Sequence, residues 1–350
     1  MNHYCTYFDS GFLPQGVALW RSLAAHDPLA VLWVLALDET VVRLLPALGE
    51  ERLRVVSLGE LEAADPELVA VKGTRTRVEY YFTVSPCWPA TPVAHATRNR
   101  TSCVSRRDLF FFAAPDPIWA MLDQGSVLTG LHRFPAYLAH YERHGRYNVG
   151  VLGWKRDANG LACLEWWRAR CLEWCYDRLE DGRYADQKYL EEWPRLVAGV
   201  VENTHPGVNL APWNWMNHRY AFADGSVQAD GQPLVVFHFA RFRALAGDWW
   251  WQSGQLDYGV MPWVLRQALY GRYHRALTET AAEIRRVAPG WQPVKPSRRL
   301  GRSFWRGLPP RIVFGSDWLR VGGWFVSGRL GLGGYSGRVL ARLRTIFLRR

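Results

Sequence analysis

The sequence shows no dense set of cysteines, no long apolar run and no signal-peptide pattern, three features that would place it in a special class. Its 350 residues contain six scattered cysteines, too few for a disulfide framework, and no Cys-x-x-Cys pair. The longest apolar run, residues 29–37, is too short to span a bilayer. These absences argue against a small secreted scaffold and a membrane-spanning protein, and we expect a cytoplasmic protein.

Acidic residues are almost missing after position 284. Residues 285–350 hold 15 Lys and Arg against one acid, Asp317, whereas residues 1–284 hold 28 basic and 31 acidic residues. The net charge of +11 therefore belongs to the tail. Trp and Phe interrupt this basic tail, a composition typical of peripheral binding to an anionic membrane surface, here the inner face. Nucleic acid is the competing partner, without a recognition motif to support it, and a merely solvated tail is the third interpretation.

The rest of the composition, 49% hydrophobic and 21% charged residues, is that of a globular protein. Apolar patterning predicts strand, helix, strand, helix and strand at residues 4–8, 14–25, 30–37, around 44–48 and 53–58. This order is typical of a parallel sheet covered by helices, as in nucleotide-binding α/β domains. The Gly-rich fingerprints of dinucleotide-binding and P-loop proteins are both missing.

Beyond residue 60 the alternation is less regular. The pattern predicts helices at residues 66–84 and 158–179, a short helix from Asp186, and strands at 108–112, 146–155 and 232–239. After residue 251 the pattern is helical and then Gly-rich and basic. We therefore predict two regions, a domain over residues 1–250 and an extension over residues 251–350.

Several short segments follow one another in an order that resembles nucleotide-sugar glycosyltransferases of the A-type fold, near family 8. They fall within residues 3–245 and are His3-Tyr4-Cys5-Thr6-Tyr7-Phe8-Asp9, Arg77-Val78-Glu79-Tyr80-Tyr81-Phe82-Thr83, Asp108-Leu109-Phe110-Phe111-Phe112, Tyr147-Asn148-Val149-Gly150, Asp186-Gln187-Lys188-Tyr189, Pro212-Trp213-Asn214 and Val236-Phe237-His238-Phe239. The resemblance implies a Rossmann-like α/β fold, a nucleoside-diphosphate-sugar donor, a Mn²⁺ or Mg²⁺ ion and a retaining hexosyl transfer. The implied acceptor is a glycan or a lipid-linked precursor.

Two residues match the metal ligands of that family. Asp108 matches the second acid of its Asp-x-Asp motif, and His238 matches a His on a later strand. Hard dications prefer carboxylate oxygens and stabilise the charge that develops on a diphosphate leaving group. Taken alone, His238 is more simply a buried core histidine, and Asp108 a cap or turn residue.

The other candidates follow from the same resemblance. The implied catalytic residues are Asn148, Asp186 and Gln187, and the implied donor-binding residues are Thr6, Tyr7, Asp9, Arg77, Trp213 and Asn214. The first three of the donor-binding set lie where the first strand ends, the edge at which open α/β sheets bind nucleotides. Structural alternatives stand beside these roles: a helix N-cap for Asp186, a turn for Asp9 and surface charge for Arg77.

The sequence departs from the family at the first acid of the Asp-x-Asp motif, where Arg106 stands. A guanidinium cannot ligate a cation, although it can neutralise a diphosphate directly. Residues 80–107 contain no acid, which leaves two interpretations open. One is a compensated frameshift in the gene that affects residues 96–107, and the other is a genuinely divergent segment. The alternative function is accordingly a catalytically inactive relative that binds nucleotide sugars or glycans.

Overall fold

The computed structural model describes residues 1–91, 100–104, 106–223, 225–244, 250–292 and 314–315. Contacts divide the chain into two units, the first formed by residues 1–238 and 277–293 and the second built around residues 239–276. The predicted boundary near residue 250 stays a prediction. Apart from residues 314–315, the basic tail beyond residue 292 lies outside the described residues, as do residues 92–99.

The strands are numbered in chain order. They are β1 (Asn2–Phe8), β2 (Ala30–Ala36), β3 (Leu53–Ser57), β4 (Arg100–Val104), β5 (Leu109–Phe111), β6 (Val127–Leu131), β7 (Tyr147–Lys155), β8 (Val200–Glu202), β9 (Val208–Leu210), β10 (Tyr220–Ala223), β11 (Ser226–Ala229), β12 (Gln232–Pro233), β13 (Val236–His238), β14 (Arg243–Ala244), β15 (Trp250–Trp251) and β16 (Phe314–Gly315). Eight of these sixteen strands have only two or three residues.

Seven of these strands form the central sheet, in the order β3-β2-β1-β4-β7-β6-β8. Strands β1 to β4 pair in parallel and β6 pairs in parallel with β8, whereas β7 runs antiparallel to both β4 and β6. The chain thus forms the predicted parallel, Rossmann-like sheet in its first half and reverses one strand in the second half. The predicted α/β fold class is confirmed.

The helices are α1 (Leu13–His26), α2 (Glu39–Ala47), α3 (Leu58–Ala64), α4 (Pro66–Lys72), α5 (Arg77–Ala90), α6 (Asp116–Asp123), α7 (Ala158–Glu173), α8 (Trp193–Leu196), α9 (Gln255–Tyr258), α10 (Trp263–Arg266) and α11 (Arg272–Val287). Short 3₁₀ helices lie at Ser10–Phe12, Ala136–His144, Lys188–Glu192 and Trp215–Asn217. A π-helical segment at Gln267–Gly271 links α10 to α11. None of the described helices is long and apolar enough to cross a membrane.

Helix ends explain where the sequence predictions were wrong. The single helix predicted over residues 66–84 is two helices, because Thr76 and Glu79 form a capping box that starts α5. The helix predicted over residues 158–179 ends at Glu173. Asp186 does not cap a helix, since the following segment begins at Lys188 and has Gln187 at its cap position.

Apolar side chains cover both faces of the central sheet. Alternate residues of β1 point to opposite faces, so Tyr4 and Phe8 join one core cluster while Cys5 and Tyr7 join the other. The second cluster contains stacked and edge-on tryptophans, among them Trp167 and Trp193 with ring centroids 5.4 Å apart. The sheet is therefore buried on both sides, and only its strand ends can present polar groups.

A second, three-stranded sheet carries the later functional candidates. Its order is β5-β13-β9, with β5 and β13 antiparallel and β13 and β9 parallel. Val236 pairs with Val208 and Phe237 with Leu210, so the residue between those partners, Asn209, is an extra residue in the ladder. Asn209 has a φ of 63°, the left-handed region that asparagine tolerates better than most residues.

Candidate functional site

The candidate residues gather at one edge of the central sheet. Strands β1 and β4 run in parallel toward this edge, whereas β7 is antiparallel to β4 and therefore begins there. Thr6 and Tyr7 near the end of β1 and Asn148 at the start of β7 are thus brought to the same edge. This is the edge at which the sequence predicted nucleotide binding.

Three polar side chains converge on Gly150, the first of the two glycines in β7. A Cβ atom at this position would lie 2.4 Å from Oδ1 of Asn148, 2.6 Å from Oδ1 of Asn209 and 3.4 Å from Nδ1 of His238. A side chain larger than hydrogen would therefore displace the amide oxygens of Asn148 and Asn209 and would be in contact with His238. We call Asn148, Asn209 and His238 around Gly150 the Gly150 cluster.

Four polar side-chain atoms of the Gly150 cluster are buried and lack a hydrogen-bond partner among the described residues. The two amide atoms of Asn148, Oδ1 of Asn209 and Nδ1 of His238 have no hydrogen-bond partner within the described part of the protein. Asn148, Asn209 and His238 are 2%, 0% and 5% exposed. An unmade buried hydrogen bond costs about 1–3 kcal/mol, so a folded protein that keeps several together indicates a polar ligand.

His238 joins the Gly150 cluster to Asp108. Because β13 pairs with β5, His238 lies opposite Leu109, and its Nε2 atom is 3.3 Å from Oδ1 of Asp108. Burial by itself raises the pKa of Asp108, but His238, Arg107 and Arg106 outweigh burial and hold that pKa well below its usual range. Asp108 is therefore a carboxylate at neutral pH.

An aromatic wall flanks His238. The ring of Trp213 meets His238 edge-on with centroids 5.3 Å apart, and it also contacts His132 at 5.2 Å. His132 stacks on Phe134 at 4.7 Å. Burial lowers the pKa of His132 to about 3, so its ring is neutral and behaves as part of the apolar wall. Nε1 of Trp213 is a further buried donor without a partner in the described chain.

Asn214 holds the loop that carries Trp213. Its Oδ1 accepts from the amide of Ala211 at 2.9 Å, and its Nδ2 donates to the carbonyl oxygens of His132 and Asn209 at 2.9 and 3.3 Å. Both ends of this side chain are therefore engaged by backbone. Asn214 thus fixes the backbone around Trp213 and at Asn209, and its predicted role in donor binding stays a prediction.

A second polar group lies on the other face of β1. The hydroxyl of Tyr7 is 2.6 Å from the hydroxyl of Ser85, and burial together with Asp186 raises the pKa of Tyr7 to about 12. Burial also raises the pKa of Asp186, a shift that Arg106 opposes. Arg106 interacts electrostatically with both Asp186 and Asp108, so it connects this group to the Gly150 cluster.

The remaining candidates have separate surroundings. The guanidinium of Arg77 forms an ion pair with the carboxylate of Asp9, whose other oxygen accepts from the amide of Gly11 at 3.1 Å. Gln187 donates to the carbonyl oxygen of His144 at 3.0 Å. The hydroxyl of Thr6 is fully buried and has no partner in the described residues. The structure thus places Asp9 with Arg77 and leaves Thr6 available for a ligand.

The residues present do not make a dication site of the kind that the resemblance implies. Asp108 and His238 are side by side, but the described residues contain no group of three or more His, Cys, Asp or Glu side chains that could hold a metal ion. Arg106 occupies the position of the missing acid, and its positive charge interacts with the carboxylate of Asp108. One carboxylate and one imidazole beside a guanidinium are fewer ligands than the Asp-x-Asp pattern supplies, and the rest of the octahedral shell that Mg²⁺ requires would have to come from water or substrate phosphate oxygens.

Sequence reasoning missed several residues of this site, among them Asn209, Ser85, His132 and Phe134. Asn209 belongs to the site only because the ladder between β9 and β13 has an extra residue at this position. The segment Val208-Asn209-Leu210 contains no sequence signal for such a bulge. Ser85 lies within α5 and contacts Tyr7 although the two residues are far apart in sequence. For Asn209, the one available signal was a lone amide within a short apolar stretch.

The strand order and the polar edge define a class: this is a Rossmann-like α/β protein with a mixed seven-stranded sheet. The chain belongs to the family of the uncharacterized proteins YfnF and YfnD of Bacillus subtilis (strain 168). It is 35% identical to YfnF over 254 residues, which cover 69% of this chain and 82% of YfnF. It is 31% identical to YfnD over 243 residues, which cover 69% of this chain and 78% of YfnD. No family model matches the chain.

Solved structures of similar shape are glycosyltransferases with low sequence identity. A complex of the galactosyltransferase LgtC with donor and acceptor sugar analogues covers 80% of this chain and 95% of its own, at 15% identity and a TM-score of 0.48. GlyE of Streptococcus pneumoniae TIGR4, without ligand, covers 81% of this chain and 63% of its own, at 13% identity and a TM-score of 0.40. At these values the activities of those enzymes cannot be transferred to this chain.

Proposed function

We propose that this protein is a glycosyltransferase that moves a sugar from a nucleoside-diphosphate-sugar to a hydroxyl of a glycan or lipid-linked acceptor. The observation that carries the proposal is the Gly150 cluster, in which both amide atoms of Asn148, Oδ1 of Asn209 and Nδ1 of His238 have no partner in the described chain. A sugar ring, with a hydroxyl on most carbons, supplies both donors and acceptors to such groups. The family-like order of motifs in the sequence supports the same assignment.

In this proposal the end of β1 binds one part of the donor and the start of β7 binds another. Thr6 and Tyr7 face the nucleoside, while Asn148 and Asn209 bind sugar hydroxyls and the Trp213 ring packs against the sugar. Asp186 and Gln187 are the catalytic candidates that the sequence predicted, with Asp186 kept beside Arg106. Transfer with retention needs no strong base if the departing phosphate takes the acceptor proton, and no nucleophile is assigned.

The damaged Asp-x-Asp motif is best explained by a compensated frameshift in the gene. As written, β4 is the strand between β1 and β7 at the centre of the sheet, yet it reads Arg100-Thr101-Ser102-Cys103-Val104. Central strands of such sheets are normally continuous apolar runs, as β2 is here. The polar composition of the strand therefore supports the interpretation that residues 96–107 were read in the wrong frame.

Reading the gene across codons 84–110 on both strands tests the frameshift. We expect a nucleotide gained near codons 85–96 and balanced near codon 107, which restores an acid in place of Arg106. Codons that stand as written would contradict this interpretation. The implied Mn²⁺ or Mg²⁺ ion would then have only Asp108 and His238, and the alternative function would have as much support as the transferase.

The alternative is a relative that binds a nucleotide sugar or a glycan without turning it over, because Arg106 replaces an acid. Saturation-transfer NMR with UDP-, GDP-, dTDP- and ADP-sugars measures binding, and release of the nucleoside diphosphate measures turnover. Binding together with release, with or without Mn²⁺, supports the transferase. Binding without release under every condition supports the inactive relative, and no binding to any of these sugars rejects the transferase and the relative that binds nucleotide sugars.

A further inference from the structure

A buried cation in the second unit has no counter-charge in the described chain. Arg266, the last residue of α10, is 2% exposed, forms no ion pair with a described carboxylate, and leaves Nε without a hydrogen-bond partner. Burial lowers the pKa of Arg266 to about 10, with no opposing contribution, so the guanidinium remains charged at neutral pH. An uncompensated buried charge strongly destabilises a fold, and its retention needs an explanation.

The residue that follows supplies a second unsatisfied donor. Nε2 of Gln267 is buried and has no partner among the described residues. Its Oε1 lies on the side of Gly271, where a Cβ atom would be only 2.8 Å away. Two consecutive side chains therefore present N–H groups that nothing in the described chain accepts.

The local backbone is arranged around these two residues. The helix widens from α-helical to π-helical geometry at Gln267–Gly271, directly after Arg266. Such single-turn π segments displace neighbouring side chains from their regular positions and occur frequently at functional sites. The guanidinium also lies over the ring of Trp263 at 5.2 Å, which supports the cation on one face.

We propose that Arg266 and Gln267 form a phosphate-binding site in the second unit. A guanidinium offers a planar fork of donors that fits two oxygens of a phosphate, and Gln267, the next residue, offers a further buried donor. A phosphate keeps at least one more oxygen for such a donor, whereas a carboxylate has only the two that the guanidinium takes. The low dielectric around a buried cation strengthens the pairing with an anion. This site is independent of the proposed glycosyl transfer.

Isothermal titration calorimetry of the full chain with inorganic phosphate, at constant ionic strength, tests the site. We expect phosphate to bind the wild-type chain and Arg266→Met to weaken that binding by about tenfold or more. Gln267→Met should weaken it by a smaller factor, and the exposed-residue control Arg275→Met should leave it unchanged. Arg266→Lys, which keeps the charge and loses the fork, should give an intermediate affinity.

Two further measurements make the outcomes decisive. Near-ultraviolet circular dichroism without phosphate establishes whether each variant is folded. If Arg266→Met is not folded, Arg266→Lys is used in its place to test the phosphate affinity. Vesicles of phosphatidylcholine with and without phosphatidic acid show whether a lipid headgroup or free phosphate occupies the site. Equal phosphate affinity in wild type and folded Arg266→Met, or an equal response to acetate, would overturn the proposal.

Discussion

The Nε2 atom of His238 lies 3.3 Å from the Oδ1 atom of Asp108, although the two residues are 130 positions apart in the sequence. The antiparallel pairing of β5 with β13 creates this contact, because it sets His238 opposite Leu109. Arg106, two residues before Asp108, adds a positive charge where a third metal ligand would be needed. The pair is therefore an incomplete cation site.

Replacing Arg106 by an acid should complete that site. We expect Arg106→Asp to bind Mn²⁺ at least about tenfold more tightly than the wild-type chain, because the change removes a repelling charge and adds a carboxylate ligand. Electron paramagnetic resonance of free Mn²⁺ measures the binding directly and does not depend on turnover. The matched control is Arg143→Asp, which makes the same charge change at an exposed position. Equal Mn²⁺ affinity in the two variants would show that Asp108 and His238 are not metal ligands.

Asn209 should matter more for ligand binding than for folding. Its Oδ1 is buried without a partner among the described residues, its Nδ2 donates to the carbonyl of Leu131 at 3.4 Å, and its φ is 63°, where Ala is less favourable than Asn. Asn209→Ala should therefore lower the free energy of unfolding by no more than about 1 kcal/mol. Binding of the nucleotide sugar that the wild-type chain takes should weaken by about tenfold. Urea unfolding and calorimetry provide the two quantities.

Asn203 is the matched control for Asn209. Its Nδ2 donates to the carbonyl of Val208 at 2.9 Å, and its Oδ1 accepts from the amide of His205 at 3.0 Å. Asn203→Ala should therefore lower the free energy of unfolding by about 1–3 kcal/mol, because it leaves these buried groups unpaired. If Asn209→Ala destabilises the fold as much as Asn203→Ala does, the side chain of Asn209 is structural.

His132 should make the fold sensitive to acid. Burial lowers its pKa in the folded protein to about 3, so below pH ~6.5 the unfolded chain binds a proton that the folded chain does not. Stability contributed by this group is present above pH ~6.5 and is lost as the pH falls toward ~3, about 2 kcal/mol of it by pH ~5. Comparing wild type with His132→Phe by urea unfolding across this range isolates the effect. Identical pH profiles for the two proteins would contradict the assignment.

The basic tail should carry any attachment to anionic membranes. Trp291 and Ile284 pack in the first core cluster, so a truncation that preserves the fold should begin after residue 292. Removing residues 293–350 should abolish salt-sensitive association with phosphatidylglycerol vesicles, because most of the tail's positive charge lies there. Sedimentation with vesicles at low and high salt measures this. Unchanged association of the folded truncated chain would contradict the membrane prediction.

The first half of the fold followed from local pattern. Apolar runs at β1, β2 and β3 and the helices between them have strong periodicity and short connections, so their order already indicated a parallel sheet. Helix boundaries were harder, because a capping box such as Thr76 with Glu79 divides one apparent helix into two. The later short strands carry too few residues for a period to be recognised.

The sequence by itself determined the α/β architecture, the concentration of positive charge in the tail and, through its motif order, most of the candidate residues. Tertiary structure alone decided which of them meet. It paired Arg77 with Asp9, and it brought Asn209 to Gly150 through an extra residue in a ladder. Periodicity is a property of neighbouring residues, whereas these contacts depend on strand register between distant segments, which no local pattern encodes.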